Sequence, residues 1–188
     1  MGYQDALSLA RQKLAQLSAE VVCGNCGACF EGGEYFLPWF NSQRSVSTAS
    51  DAHQILWLHY LAANGTKEPI GRLIAYREMA PALFYEQKFI QRAIKPLANY
   101  FGKCPGKLVE TSMRLGGRGA GFGSASATIN VLPYLPMTFI IWEGDEELSP
   151  EGNILFDQSA KSWFVPEDLA MLASFAVYEL INAAKSNE

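Results

Sequence analysis

Hydrophobic positions recur along the chain with two different periods. Leu7, Ala10, Leu14, Leu17 and Val21 step by three and four, which predicts one amphipathic helix halted at the glycine-rich residues 24–27. Shorter segments rich in β-formers follow at 28–31, 35–40 and 44–48. Gly32-Gly33 and Asn41-Ser42 separate them, the signature of a hairpin meander. Ser50 is placed to cap a helix over 51–63, ended by Asn64-Gly65. Residues 70–78 alternate as a strand does. Leu83, Ile90, Ile94, Leu97 and Phe101 then return to the helical period, with a kink or restart expected at Pro96. Pro105 suits the first turn of another helix, which Gly116-Gly117 would end.

The last third reads as three strands, 126–132, 137–142 and 153–157, and a helix opened by Pro166, Glu167 and Asp168. Leu169, Leu172, Ala173, Ala176 and Leu180 form its apolar stripe. Strands and helices arrive in unequal blocks without regular alternation. That predicts an α+β fold, a mostly antiparallel sheet of short strands packed with four to five helices. No repeat, linker or low-complexity segment divides residues 1–188, so a single domain is expected.

Composition narrows the function classes. The chain has 188 residues, 49% hydrophobic and 18% charged, which excludes a disordered tail. Nineteen acids against fifteen bases leave a net charge of −4, which argues against a nucleic-acid binder working on phosphates. Residues 143–188 hold ten acids and two bases, a net of −8, the pattern of an acidic loop followed by a solvated helix face. The most apolar run, 131–142, is broken by Pro133 and Pro136 and is too short to span a bilayer. The first 22 residues carry charges through their apolar pattern and lack a signal-peptide core. A cytoplasmic protein with reduced thiols is the expectation.

The cysteines carry the sharpest motif. Cys23, Cys26 and Cys29 form C-x-x-C-x-x-C, and Cys104 precedes Pro105. Two-residue spacers let a short loop fold three thiolates around one metal centre, and a cysteine–proline pair can supply a further corner. The same four sulfurs would serve zinc. An iron–sulfur cluster or zinc is therefore one expectation. Against it stands the distance of Cys104 from the run, and a reading in which Cys29 and Cys104 are small buried hydrophobes.

Other motifs argue mainly by exclusion. The glycines at 116, 117, 119, 121 and 123 fit no G-x-G-x-x-G register, so tight turns or a mobile loop replace a phosphate cradle. Glu143 to Glu147 clusters carboxylates without calcium-loop spacing. His53 and His59 fall on different helix faces, and no nucleophile motif pairs with either. His59 reads as a hydrogen-bonded core histidine, and the aromatics Trp57, Tyr60, Tyr85 and Phe89 read as core. An enzyme or small-ligand-binding protein would instead use a pocket between sheet and helices. Its lining would be Tyr60, Arg77, Glu78, Trp142, Asp145 and Glu146, types that fix an anionic or planar substrate. An interaction module docking an unknown protein partner through the acidic loop and last helix is the third class. No membrane or nucleic-acid partner is expected.

The order His59-Tyr60-Leu61, Gly71 to Glu78, Tyr85 and Phe89 resembles the "domain of unknown function 3786" family. The likeness continues through Leu115-Gly116-Gly117, Leu132-Pro133, Trp142-Glu143-Gly144-Asp145-Glu146-Glu147, Asn153 to Asp157, Ser159-Ala160 and Glu167-Asp168-Leu169. It covers roughly residues 10–182. What the resemblance implies is an accessory role in the metabolism of anaerobic bacteria and archaea, without an assigned reaction. Some members carry an added iron–sulfur domain, and relatives occur beside corrinoid-dependent one-carbon metabolism. Two departures matter. The family pattern does not depend on cysteines at 23, 26 and 29, and its tendency to an aspartate near position 124 is met here by Ser124.

Overall fold

The computed structural model describes residues 2–79 and 83–186. Its first helices are α1 (Tyr3–Leu14) and α2 (Ala19–Cys26). The stripe from Leu7 to Val21 is thus two helices. Ser18 caps the second one, its hydroxyl accepting from the Val21 N–H at 3.4 Å. The break leaves Leu17 and Val21 exposed, while Leu7, Ala10 and Leu14 are buried. Helix α2 runs through Gly24 and ends at Gly27, whose φ of 73° lets its N–H reach the Cys23 carbonyl at 3.0 Å. A side chain at Gly27 would also press on Pro133, 3.1 Å away.

Strands β1 (Cys29–Glu31), β2 (Glu34–Trp39) and β3 (Ser42–Ser45) form the expected meander, but as a separate three-stranded antiparallel sheet. The turn between β2 and β3 holds Phe40 at φ 53°, and its N–H donates to the Val131 carbonyl at 3.1 Å. That bond ties the small sheet to the large one. Helix α3 (Asp51–Leu61) follows, with Leu56, Tyr60 and Leu61 fully buried.

The predicted strand at 70–78 is short. Only β4 (Leu73–Ala75) pairs with the sheet, and Tyr76–Glu78 closes into a 3-10 turn capped by the Glu78 carboxylate on the Ala75 N–H at 2.6 Å. The long helical stripe becomes α4 (Leu83–Phe89), a π turn at Ile90–Ile94 and α5 (Lys95–Phe101); the side chain of Leu83 lies outside the described set. The interruption has a chemical cause at Pro96, which has no N–H to return to the Arg92 carbonyl. That carbonyl is taken instead by the Ser174 hydroxyl at 3.1 Å.

Helix α6 (Gly106–Arg114) leads into the large sheet of β5 (Arg118–Gly119), β6 (Ala125–Leu132), β7 (Leu135–Trp142) and β8 (Glu151–Asp157). Its order is β4-β8-β7-β6-β5, antiparallel throughout. The glycine run resolves into turns about β5, with Gly123 at φ 58° and no room for a side chain against the Ile141 carbonyl. Helix α7 (Ala160–Trp163) is one turn, and α8 (Pro166–Lys185) packs against α3, α4, α5 and α6. Its predicted stripe of Leu169, Leu172, Ala173, Ala176 and Leu180 is buried throughout. The architecture is α+β. Among the described residues, no helix is long and apolar enough to cross a membrane.

Candidate ligand-binding cleft

A cleft of about 370 Å³ opens where the small sheet, the start of α3 and the outer face of α8 meet. Its wall is built from Trp39, Arg44, Ser50, His53, Trp57 and Glu179. The size falls within the ~300–1,000 Å³ common for small-molecule sites.

Each wall is fixed by bonds that leave the cleft free. Residues 45–49 link β3 to α3, and the Glu34 carboxylate gathers them by accepting from the Ser45 and Ser47 hydroxyls and from the Ser47 N–H. Those hydroxyls, Ser45 first, hold the Glu34 carboxyl below its usual range. From the other side, the Gln54 amide donates to the carbonyls of Ser47 at 3.0 Å and Ala49 at 2.8 Å. Arg11 of α1 in turn donates to the Gln54 Oε1 at 2.9 Å. A loop held at both ends is preorganised and loses little entropy on binding.

The aromatic walls meet at His53. Its ring stacks on Phe175 of α8 at 3.8 Å and 15°, with Trp57 at 5.5 Å and Trp39 at 6.4 Å both edge-on. Ser50 stands at the helix start, yet its hydroxyl lies 2.9 Å from the His53 Nδ1 and caps no backbone N–H. At the mouth, Arg44 of β3 donates to the Glu179 carboxylate of α8 at 3.1 Å. Trp57 is only 4% exposed, and its indole N–H is itself buried with no hydrogen-bond partner among the described residues. Such a donor costs about 1–3 kcal/mol when left unsatisfied.

Burial lowers the His53 pKa, Glu179 opposing and Arg44 assisting, so the imidazole is neutral near pH 7. Below its ordinary value near 6.5 the unfolded state binds the proton more readily, so this contribution is complete above about pH 6.5 and fades as pH falls through the depressed folded value. Urea unfolding at pH 7.5 and pH 5.5 is expected to show a loss of stability that shrinks in His53→Phe. An equal loss in that variant would assign the effect elsewhere.

The residues singled out in the sequence lie in several places. Tyr60 is fully buried and its hydroxyl donates to the Cys26 carbonyl at 3.3 Å. Arg77 and Glu78 are exposed on the 3-10 turn after β4, and Lys161 donates to the Glu78 carbonyl. Trp142 ends β7 at 41% exposure. Asp145 and Glu146 do share a shallow hollow of about 230 Å³ with Lys103 and Pro150, whose lining includes none of Tyr60, Arg77, Glu78 and Trp142. That hollow brings together two of the six, Asp145 and Glu146. Asp145 instead shapes its own turn, accepting from the N–H groups of Leu148 at 2.7 Å and Glu147 at 2.8 Å, which lower its pKa. His59 is hydrogen-bonded as expected, its Nδ1 lying 3.0 Å from the Asp168 carboxylate, although its side chain is 40% exposed.

The cysteine run straddles the end of α2 and the start of β1. Cys26 is fully buried and its thiol donates to the Val22 carbonyl at 3.0 Å; burial above all pushes its pKa up to about 11. Burial and then the neighbouring Cys29 raise that of Cys23. Cys29 and Cys104 are exposed, which corrects the reading of both as buried hydrophobes. Among the described residues, no group of three or more Cys, His, Asp or Glu side chains is arranged to hold one metal ion. As folded here, Cys26 spends its thiol on its own helix.

The cleft itself was not legible as a site. Trp57 reads as core from its neighbours, and both its ring and its N–H are buried. Arg44 and Glu179 are 135 positions apart, and no local pattern links them. The nearest signal was a capping serine followed three residues on by a histidine.

Comparison with known proteins gives one result. The family described as "Domain of unknown function (DUF3786)" matches residues 19–179. No curated protein and no solved structure matches the chain.

Proposed function

Because the chain belongs to the domain of unknown function (DUF3786) family, whose description assigns no activity, we propose a role read from its own cleft: binding of a small planar molecule. The observation that carries this reading is the cleft itself, lined by the rings of Trp39, His53 and Trp57 beside the Arg44–Glu179 pair. Binding is favoured over catalysis because the Ser50–His53 contact has no orienting carboxylate; none is hydrogen-bonded to His53 among the described residues.

The test uses ¹⁵N-labelled protein, in which four tryptophans give four indole signals. A panel of small planar rings at millimolar concentration is expected to move the Trp39 and Trp57 signals and to leave Trp142 and Trp163 in place. If no ring moves Trp57, the cleft is not a binding site.

A second reading rests on the neighbouring thiols of Cys23, Cys26 and Cys29, with Lys67 close enough to act on Cys26. In it the chain is an accessory protein of anaerobic, corrinoid-linked metabolism that holds an iron–sulfur cluster or zinc. Cys26 would first have to release the Val22 carbonyl, with Cys104 or an outside ligand completing the set. Anaerobic expression followed by iron, zinc and acid-labile sulfide analysis per chain decides it. A colourless, metal-free, folded protein removes it.

A further inference from the structure

We infer that Cys23 and Cys29 are a reversible dithiol–disulfide pair from which Cys26 is left out. The inference goes beyond the cleft and does not depend on it. Its ground is the turn that joins α2 to β1. Gly27, in the left-handed region, sends its N–H back to the Cys23 carbonyl at 3.0 Å, and β1 then packs against α2. Cys23, in the last turn of the helix, and Cys29, at the first position of the strand, therefore flank one reversal of the chain.

Both sides of that reversal are held. The Lys67 ammonium donates to the Gly24 carbonyl at 2.6 Å, and the Tyr60 hydroxyl to the Cys26 carbonyl at 3.3 Å. Across the turn, Cys29 lies opposite Phe36 in the β1–β2 ladder, and the Phe30 and Tyr35 rings meet at 4.6 Å. Two thiols carried on fixed neighbouring elements react with each other in preference to thiols in solution.

The three thiols of the run differ in what they can do. Cys26 is fully buried and donates its thiol proton to the Val22 carbonyl at 3.0 Å. Cys23 is half-buried and Cys29 is exposed. Burial first, and then the nearby Cys29, raise the Cys23 pKa. A small disulfide in solution therefore reaches Cys29 first. The Cys29 thiolate attacks one sulfur of glutathione disulfide and expels a glutathione thiolate. The Cys23 thiolate then attacks the Cys29 sulfur and expels the second. The two cysteines lose two protons and two electrons, and one glutathione disulfide becomes two molecules of glutathione. Exposed disulfides are the readily reduced ones, so the step runs back when reduced glutathione is in excess. Oxidised, the run keeps only Cys26, so this disulfide and a metal held by the run exclude each other.

The full chain and its Cys104→Ser variant, purified reduced under argon, are incubated with glutathione disulfide at about pH 8, where thiolate is present. After an acid quench, free thiols are blocked with N-ethylmaleimide in urea. Reduction and iodoacetamide then mark the cysteines that were oxidised, and fragment mass spectra place each label. Cys23 and Cys29 are expected to carry the second label together and Cys26 the first, with no glutathione retained in the intact mass of Cys104→Ser. Added to that background, Cys26→Ala is expected to leave the result unchanged, and Cys23→Ser to stop at one glutathione held on Cys29. A disulfide that includes Cys26 overturns the inference. So does glutathione retained on Cys29 while Cys23 is intact, or a run whose cysteines all take the first label.

Discussion

Tyr60→Ala is expected to destabilise the protein by about 4 kcal/mol, and Tyr60→Phe by about 1 kcal/mol. The ring is fully buried, 4.7 Å from Trp163 and 5.8 Å from Phe164, so truncation leaves a cavity that a packed interior closes poorly. The hydroxyl does less. It satisfies the Cys26 carbonyl at the end of α2, and burial pushes its pKa well above the usual range, so it stays a neutral donor. Urea unfolding measures both losses from the midpoint at unchanged slope. For a chain of this length 4 kcal/mol corresponds to roughly 8–16 °C in Tm. A Tyr60→Phe loss as large as that of Tyr60→Ala would mean that the hydroxyl, not the ring, holds this part of the core.

Asp157→Ala is expected to cost about 3 kcal/mol. The side chain is almost wholly buried at the end of β8 and accepts from the N–H groups of Ile70 at 2.9 Å, Gly71 at 2.7 Å and Ser159 at 2.9 Å. It thereby seats the approach to β4 and the entry to α7. Burial opposes the charged form, but the bonds from Ser159, Ile70 and Gly71 outweigh it and lower the pKa. The sign is that of a depressed carboxylate. Its contribution is complete above an ordinary value near 3.9 and is lost as pH falls through the lower folded value. The wild type is therefore expected to lose stability more steeply than Asp157→Asn as pH falls below about 4. Parallel acid-unfolding curves would show that the charge contributes nothing.

Both positions lie in the segments that carried the family resemblance. In this structure those segments are mostly joints. Tyr60 holds the end of α2, Asp157 the loop before β4, His59 meets Asp168 at the start of α8, and the Tyr76 hydroxyl donates to the Pro166 carbonyl at 2.9 Å. The cleft residues Trp39, Arg44, His53 and Glu179 lie outside them. A likeness built on joints identifies a fold and says little about a ligand.

What was legible in the sequence follows the range of the forces involved. Alternation and turn chemistry are local, so β6, β7, β8 and the meander lay within a few residues of their predicted spans. The stripe of α8 was also local and correct. The division of the first helix at Ser18 was missed because Leu17 and Val21 continue the period while facing solvent. The strand at 70–78 was overextended, since alternation does not reveal that pairing with β8 stops at Ala75. Pro96 signalled the interruption of the long helix locally, whereas the partner of the freed carbonyl, Ser174, lies 82 positions away, and the separation of two sheets depends on which edges find each other. The cleft is wholly of that second kind.

The Arg44–Glu179 pair joins the small sheet to α8, with side chains 48% and 31% exposed. Solvent therefore reaches the tie, and dissolved ions set its strength. The screening length shrinks from about 8 Å at physiological salt to about 3 Å at 1 M. Held by such a fastening, β3 should breathe away from α8 more often as salt rises, and its amide protons should exchange faster. The aperture of the cleft is then a property of the medium as much as of the chain, and any affinity assigned to it belongs to a stated ionic strength.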